Sequence, residues 1–237
     1  TLAQEAGQSI KKGIVERMIR HLPASTVRKL GIFAHGEEKV SVHRDEPVFD
    51  GQFSNRCYQQ AVRQAFHNFV QKAERSGRYD KEKDERFTEQ WGRIIMHLPY
   101  AYQAKRMFPD VFRHDREDTE MWSEVAEQLG PAPEPHNSDD PVIIEIWEKA
   151  MDGYRRAISK TPQYMDFHAS RIEKGQRASS LIGNQYTGSI FLALMSTFES
   201  DLEENTNLDN ELFGLCGYGS GAKAKVFEGK VSPRWRE

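Results

Sequence analysis

Three short segments of the chain carry residue types suited to acyl chemistry. In Met96-His97-Leu98-Pro99-Tyr100 a histidine leaves a short apolar run beside a proline that fixes the following backbone. An imidazole aimed from such a junction donates a hydrogen bond to a carbonyl oxygen or exchanges a proton near neutral pH, which suits acyl transfer and carbon–carbon bond formation. The same histidine is also compatible with a purely structural hydrogen bond to backbone. Gly183-Asn184 sets a side-chain amide ahead of a long apolar run, where it either caps a helix or faces a developing oxyanion. Gly217-Tyr218-Gly219-Ser220-Gly221 offers backbone N–H groups that no side chain obstructs, and reads equally well as a hairpin turn. Lys105 and Arg106 follow His97 at a spacing that brings a cation toward an anionic ligand if the segment is helical, with surface solvation as the other reading.

These residues need elements to hold them. Arg93 to Met96 reads as a strand running into His97, and Pro99 is suited to the first position of a following helix, where its missing N–H costs nothing. Tyr58, Ala61, Val62, Ala65, Phe66, Phe69, Val70 and Ala73 recur at steps of three and four, predicting an amphipathic helix capped by Ser54 and ended by Gly77. A second such helix spans 141–157, with Val142, Ile143, Ile146, Trp147, Ala150, Met151 and Tyr154 as its core side. The run from Tyr186 to Phe198 reads as a buried helix whose small residues permit close approach. Leu212 to Tyr218 and Ala222 to Val231 are strand candidates joined by the glycine turn. Ahead of these, Ile10 to Leu22 reads as an amphipathic helix, and Leu30 to Ala34 and Lys39 to His43 as short strands. Charges crowd Arg75 to Arg86 and Arg113 to Glu120. Trp122 to Leu129 is helical in pattern, and the proline-rich stretch from Gly130 to Asp140 is irregular, so an exposed insertion is expected around 113–140.

The 237 residues suffice for one large domain with an ordinary core, and 33 basic against 36 acidic residues leave a net charge of −3. That balance gives no global field for nucleic acid or an anionic membrane, so an anionic ligand has to be held locally. No apolar run is long enough to span a bilayer, and a cytoplasmic location is expected. Cys57 and Cys216 lie at no metal-ligand spacing, the histidines form no metal pattern, and no metal site is expected. The absence of an initial Met suggests a processed or truncated product.

Taken together and in order, the motifs resemble the hydroxymethylglutaryl-CoA synthases of the thiolase superfamily. Asp50-Gly51-Gln52-Phe53-Ser54 followed by Cys57-Tyr58 is similar to the family's Asp-Gly-x-Leu-Ser segment, and Met96 to Tyr100 to its Phe-His-x-Pro-Phe motif. Gly183 to Ser189 resembles Gly-Asn-x-Tyr-Thr-x-Ser, and Gly217 to Gly221 resembles Ser-Tyr-Gly-Ser-Gly. The likeness extends from about Pro47 to Val231. It implies an α/β fold, the C-terminal half of a layered thiolase-like structure with a mixed sheet packed by helices. Residues 1–46 form an N-terminal segment of unassigned role and 47–237 the family domain.

The activity so implied is a Claisen-like condensation of acetyl-CoA with acetoacetyl-CoA to hydroxymethylglutaryl-CoA, using a cysteine nucleophile and a glutamate acid/base. His97 and Asn184 are the catalytic positions that carry over. Pro99, Tyr100, Lys105, Arg106, Gly219 and Ser220 carry over as substrate-binding positions. CoA thioesters enter as substrates, with no permanently bound cofactor, and the full protein is expected to be a homodimer of the mevalonate route to isoprenoids. Neither cysteine lies in the family's Ala-Cys-Tyr-Gly-Gly setting, and both read as structural. The nucleophile and the glutamate belong to an N-terminal half that residues 1–46 are too short to supply, so this chain alone is expected to be inactive. Tyr102 stands where the family has a lysine, and Arg106 replaces a second lysine with charge retained. The alternatives are a non-catalytic acyl-CoA-binding or assembly subunit that completes a partner, and a polyketide β-branching synthase acting on a carrier-protein-bound acceptor.

Overall fold

The computed structural model describes residues 8–11, 39–42, 51–82, 85–134, 136–138, 140–219 and 223–237. The chain divides into two units, Thr1–Asn55 and Arg56–Glu237. In the first, β1 (Gln8–Lys11) pairs antiparallel with β2 (Lys39–Val42), Gln8 opposite Val42. The helix expected over Ile10 to Leu22 therefore fails at its start: Ile10 and Lys11 are strand residues, held by ladder bonds that outweigh a local apolar period. Its remainder, and the strand expected at Leu30 to Ala34, lie outside the described residues.

Helix α1 runs Gly51–Arg75, so Ser54 sits inside its first turn and does not cap it. The apolar stripe marks the buried side, with Tyr58, Val62, Phe66 and Ala73 buried, but not the first turn. Gly77, at φ 69°, ends the helix as expected: its N–H reaches Glu74 and that of Arg78 reaches Ala73. After α2 (Phe87–Gln90) comes β3 (Arg93–Met96), then α3 (Gln103–Met107), α4 (Pro109–Arg116), α5 (Glu120–Leu129), α6 (Pro141–Ile158) and α7 (Pro162–Arg171). A 3-10 turn at Glu173–Gly175 leads to α8 (Gln176–Ile182), a second one at Tyr186–Gly188 to α9 (Ser189–Glu203), and β4 (Leu212–Gly219) and β5 (Lys223–Lys230) follow.

The sheet order is β3-β4-β5, with β3 parallel to β4 and β4 antiparallel to β5. It is a mixed sheet packed by helices, as the sequence led us to expect. Strand alternation distributes β4 over two faces. On one, Gly214 lies against Trp91, whose indole meets Phe66 and Phe69 of α1, and Tyr218 packs edge-on to Tyr58. On the other, Phe213 stacks on Phe198 of α9 and Gly217 faces Ile190. Helix α9 approaches closely because Ser189, Ala193, Ser196 and Thr197 are small, and Gly175 fits against Ala193 and Thr197.

Three expectations need correcting. Helix α9 is not buried all round: Phe191 is 64% and Met195 67% exposed, opposite the small-residue face. On α6, Met151, Tyr154 and Ile158 are buried, while Val142 and Ile146 are each 63% exposed. An apolar period shows which side seeks cover, not whether this chain supplies it. Finally, the charged stretch beginning at Arg113 is not all exposed insertion. Asp115 and Arg116 are buried, the carboxylate accepting from the Thr88 N–H at 3.1 Å and from its hydroxyl, the guanidinium lying 4.5 Å from the Phe112 ring centroid and 4.9 Å from that of Phe167. Mutual pairing and aromatic contact offset the cost of desolvating them.

Candidate active site

The site is built at the C-terminal end of β3. The ladder continues one residue past the strand, where the His97 N–H donates to the Cys216 carbonyl at 3.0 Å. The His97 carbonyl accepts from the Tyr58 hydroxyl of α1 at 2.7 Å. Both backbone groups are thus held, one by β4 and one by α1. Its ring lies 6.4 Å from that of Tyr58 and 6.3 Å from that of Tyr218, and makes no hydrogen bond among the described residues. Burial lowers the imidazole pKa below its usual value, so at neutral pH the ring is uncharged, with one N–H to donate and one nitrogen to accept.

Asn184 comes from the other side of the sheet. Gly183, at φ 86°, ends α8, and the Asn184 side-chain oxygen accepts from the Tyr186 N–H at 2.7 Å and the Ser189 hydroxyl at 3.2 Å. Asn184 therefore starts a side-chain turn five residues before α9 and is not that helix's N-cap. The intervening 3-10 turn, with Tyr186 at φ 49°, takes up the space a capping residue would need. Its oxygen is occupied while the amide NH2 has no partner among the described residues, leaving an exposed donor. Ser189 and Ile190 open α9, Ile190 faces Gly217, and Gly217 follows the residue bonded to His97. That path links Asn184 to the end of β4 through Ser189 and Ile190, and no described contact joins Asn184 to His97 directly.

The remaining expected residues divide. Gly219 is the last residue of β4, paired with Lys223, which supports the hairpin reading of the glycines. Ser220 lies outside the described residues. Pro99 does not open a helix: it precedes a turn over residues 100–103, closed by the Gln103 N–H on the Tyr100 carbonyl, and α3 starts only at Gln103, after Tyr102 at φ −81°, ψ 5°. A fixed proline φ permits a first helical turn but supplies none of its hydrogen bonds. The Tyr100 hydroxyl is buried without a partner among the described residues, and its ring lies 5.8 Å from the Arg106 guanidinium. Arg106 is exposed; its carbonyl is held by Gln59 at 3.3 Å. Lys105 is tied to α7: its carbonyl accepts from Tyr164, and its charge acts on His168. No described contact joins Lys105 or Arg106 to His97.

Sequence reasoning assigned Tyr58 to the apolar stripe and missed its hydroxyl. The available signal was general: a tyrosine at a fully buried position needs a hydrogen-bond partner. Cys216 is a buried thiol whose pKa is pushed up to about 12 by desolvation, which makes it a poor nucleophile at neutral pH. The described residues contain no cluster of three or more His, Cys, Asp or Glu able to hold a metal, and no helix long and apolar enough to cross a membrane.

With the geometry in hand, comparison with known proteins is decisive. The model of the family described as hydroxymethylglutaryl-coenzyme A synthase C terminal matches residues 39–236. The chain belongs to that family. Among similar curated proteins, a hydroxymethylglutaryl-CoA synthase of Haloferax volcanii is 26% identical over 189 residues, covering 80% of this chain and 40% of that protein. The cytoplasmic hydroxymethylglutaryl-CoA synthase of Rattus norvegicus is 28% identical over 206 residues, covering 82% and 35%. This family member thus spans about two-fifths or less of the length of those relatives. A solved structure described as MvaS in complex with 3-hydroxy-3-methylglutaryl coenzyme A shares the fold, with a TM-score of 0.56 and 23% identity over 82% of this chain and 39% of that one. A curacin-pathway HMG synthase in complex with holo donor-ACP gives a TM-score of 0.50 at 16% identity.

Proposed function

We propose that this chain is the C-terminal portion of an acyltransferase that condenses acetyl-CoA with acetoacetyl-CoA to hydroxymethylglutaryl-CoA. The observation that carries the reading is the His97 imidazole, backbone-fixed at a strand end, with a free ring beside the glycine-flanked end of β4. In this reading a neutral His97 donates its N–H to the acetoacetyl ketone oxygen. The bond strengthens as negative charge develops there during attack by the acetyl carbon, which is where such a donor accelerates reaction. The free Asn184 NH2 is a second donor to a substrate carbonyl. Pro99 and Tyr100 shape the approach to the imidazole, Arg106 supplies positive charge for CoA, with Lys105 contributing from the α7 side, and Gly219 and Ser220 form part of the acyl and pantetheine passage. The cysteine and glutamate come from a portion absent from these 237 residues.

An exposed apolar face supports the reading that such a portion exists. Leu181 and Ile182 of α8, Tyr186 of the 3-10 turn, and Phe191 and Met195 of α9 expose apolar side chains in the segments on either side of Asn184. We read this face as covered by the nucleophile-bearing portion, in a homodimeric cytoplasmic enzyme whose product feeds mevalonate and isoprenoid synthesis. The holo donor-ACP complex of the curacin-pathway neighbour keeps a carrier-protein-bound substrate as the second reading. A separate assembly subunit would present the same face to a partner chain.

The test is His97→Ala in the whole enzyme, assayed with CoA-bound and carrier-bound acceptors. Condensation should fall by about 100-fold or more, the typical effect of losing such a donor. Unchanged condensation would refute the assignment, and the acceptor preferred by the unmodified enzyme decides between the two substrate readings.

A further inference from the structure

His97 is useful only if its ring keeps one direction, and the side chain itself has no hydrogen bond among the described residues to enforce that. The restraint acts on the backbone. Cys216 fixes the His97 N–H, and the Tyr58 hydroxyl fixes the carbonyl at 2.7 Å, from an element 39 positions earlier in the chain. We infer that Tyr58 is a positioning residue for His97, setting the aim of the imidazole through its carbonyl and walling one side of the ring. The inference rests on the reading of His97 given above.

Three observations support it. Tyr58 is 2% exposed and held edge-on to Tyr218 at 4.5 Å, so its hydroxyl has little freedom to seek another acceptor. Its ring and that of Tyr218, 4.5 Å apart, lie at almost equal distances from the imidazole, 6.4 and 6.3 Å, so the pair forms one aromatic wall on the same side of it. The groups acting on the Tyr58 phenol are the Cys216 thiol and Tyr218, and burial raises its pKa well above the usual value, so it remains a donor wherever an imidazole titrates. Losing the hydroxyl would leave a carbonyl without its partner at the strand end. Water would then enter, or the peptide would turn; either change hydrates and loosens the ring.

The experiment is a pH titration of the 237-residue chain carrying 13C-labelled histidine, followed by NMR, with the His97 resonance assigned by its loss in His97→Gln. Tyr58→Phe, which keeps the ring, should move the His97 midpoint upward while His114 and His168 stay in place. Val62→Ala, one turn along α1 and equally buried, should leave all three unchanged. In the whole enzyme Tyr58→Phe should lower kcat about tenfold with a smaller effect on KM, the size expected when one buried hydrogen bond is lost. An unmoved His97 midpoint in Tyr58→Phe, or an equal shift in Val62→Ala, overturns the inference. Should Tyr58→Phe not fold, the unmodified chain still decides: a slowly exchanging Tyr58 hydroxyl proton with a nuclear Overhauser contact to His97 is required, and its absence is fatal. His97→Ala without effect on condensation would sink the parent reading alone, whereas a normal Tyr58→Phe beside an inactive His97→Ala would sink only this one.

Discussion

Asp201 is the place where the fold can be loosened behind the site without touching it. Its carboxylate is fully buried near the end of α9 and accepts from Arg93 of β3, through Nε at 2.9 Å and a terminal nitrogen at 2.5 Å, and from Lys174 at 2.5 Å. Burial alone would raise its pKa, but the hydrogen bonds and charges of Arg93 and Lys174 outweigh that and hold it below the usual carboxylate value. Asp201→Asn keeps the volume, so no cavity term arises, and removes the charge. Breaking a buried pair at one partner costs about 3–5 kcal/mol because the other charge remains uncompensated. Here both cations keep alternatives: Lys174 binds Glu204 at 2.6 Å, and Arg93 donates to the Gly92 and Ser170 carbonyls. We therefore expect the lower end, about 3 kcal/mol, or a Tm lowered by about 6–12 °C for a chain of this size. Urea and thermal unfolding at pH 7 measure it. Combined with Lys174→Met, the double variant should lose about 1 kcal/mol less than the sum of the single losses. A loss under about 1 kcal/mol, or strict additivity, would show that the pairing does not hold α9 to the sheet.

Further outcomes follow from other parts of the structure. Gly214→Ala would place a Cβ 2.1 Å from the Trp91 ring, whose indole N–H is fixed on Glu228 at 2.7 Å, and should cost about 3 kcal/mol by overpacking; a neutral effect in urea unfolding would mean that Trp91 is free to shift. His97, His114 and His168 all have pKa values lowered chiefly by burial. The unfolded chain then binds more protons, so their contribution is complete above the ordinary imidazole value of about 6.5 and is lost as pH falls from there through the lowered values. Unfolding free energy should accordingly drop on acidification across that window, less so in a His114→Gln, His168→Gln double variant; a flat profile contradicts the burial argument. Cys216 should resist iodoacetamide at pH 7.5 in the native chain and react once urea unfolds it, as peptide mass spectrometry would show.

The sequence made the elements legible wherever one chain segment dictates them. Arg93 to Met96 is a strand with the expected bounds, α1 buries the expected stripe, and Gly77 stops it through a left-handed turn. What stayed hidden depends on a second segment. Asp115 and Arg116 look like solvated charges until Thr88 and the aromatic rings of Phe112 and Phe167 are brought to them. The Asn184 turn needs Ser189, and the aim of His97 needs a tyrosine whose neighbours in sequence show only a helix period. The order of the motifs was readable, but the polar atoms that hold them lie too far along the chain for spacing to reveal.

Helix α9 shows how closely fold and site are joined here. Its small face allows it to lie against the sheet at Phe213 and Gly217, its last turn is fastened by Asp201, and its first residue, Ser189, holds the Asn184 oxygen. The same helix presents Phe191 and Met195 outward. Packing the small face orients the amide, and that leaves the apolar side chains facing away from the core. If that face is where the remainder of the enzyme sits, Phe191→Ser and Met195→Ser together should leave the chain as stable as before, because neither residue is buried in it. The whole enzyme, in contrast, should lose stability and activity together. A large stability loss in the isolated chain would place these side chains in its own core instead, and the apolar face would then need a different account.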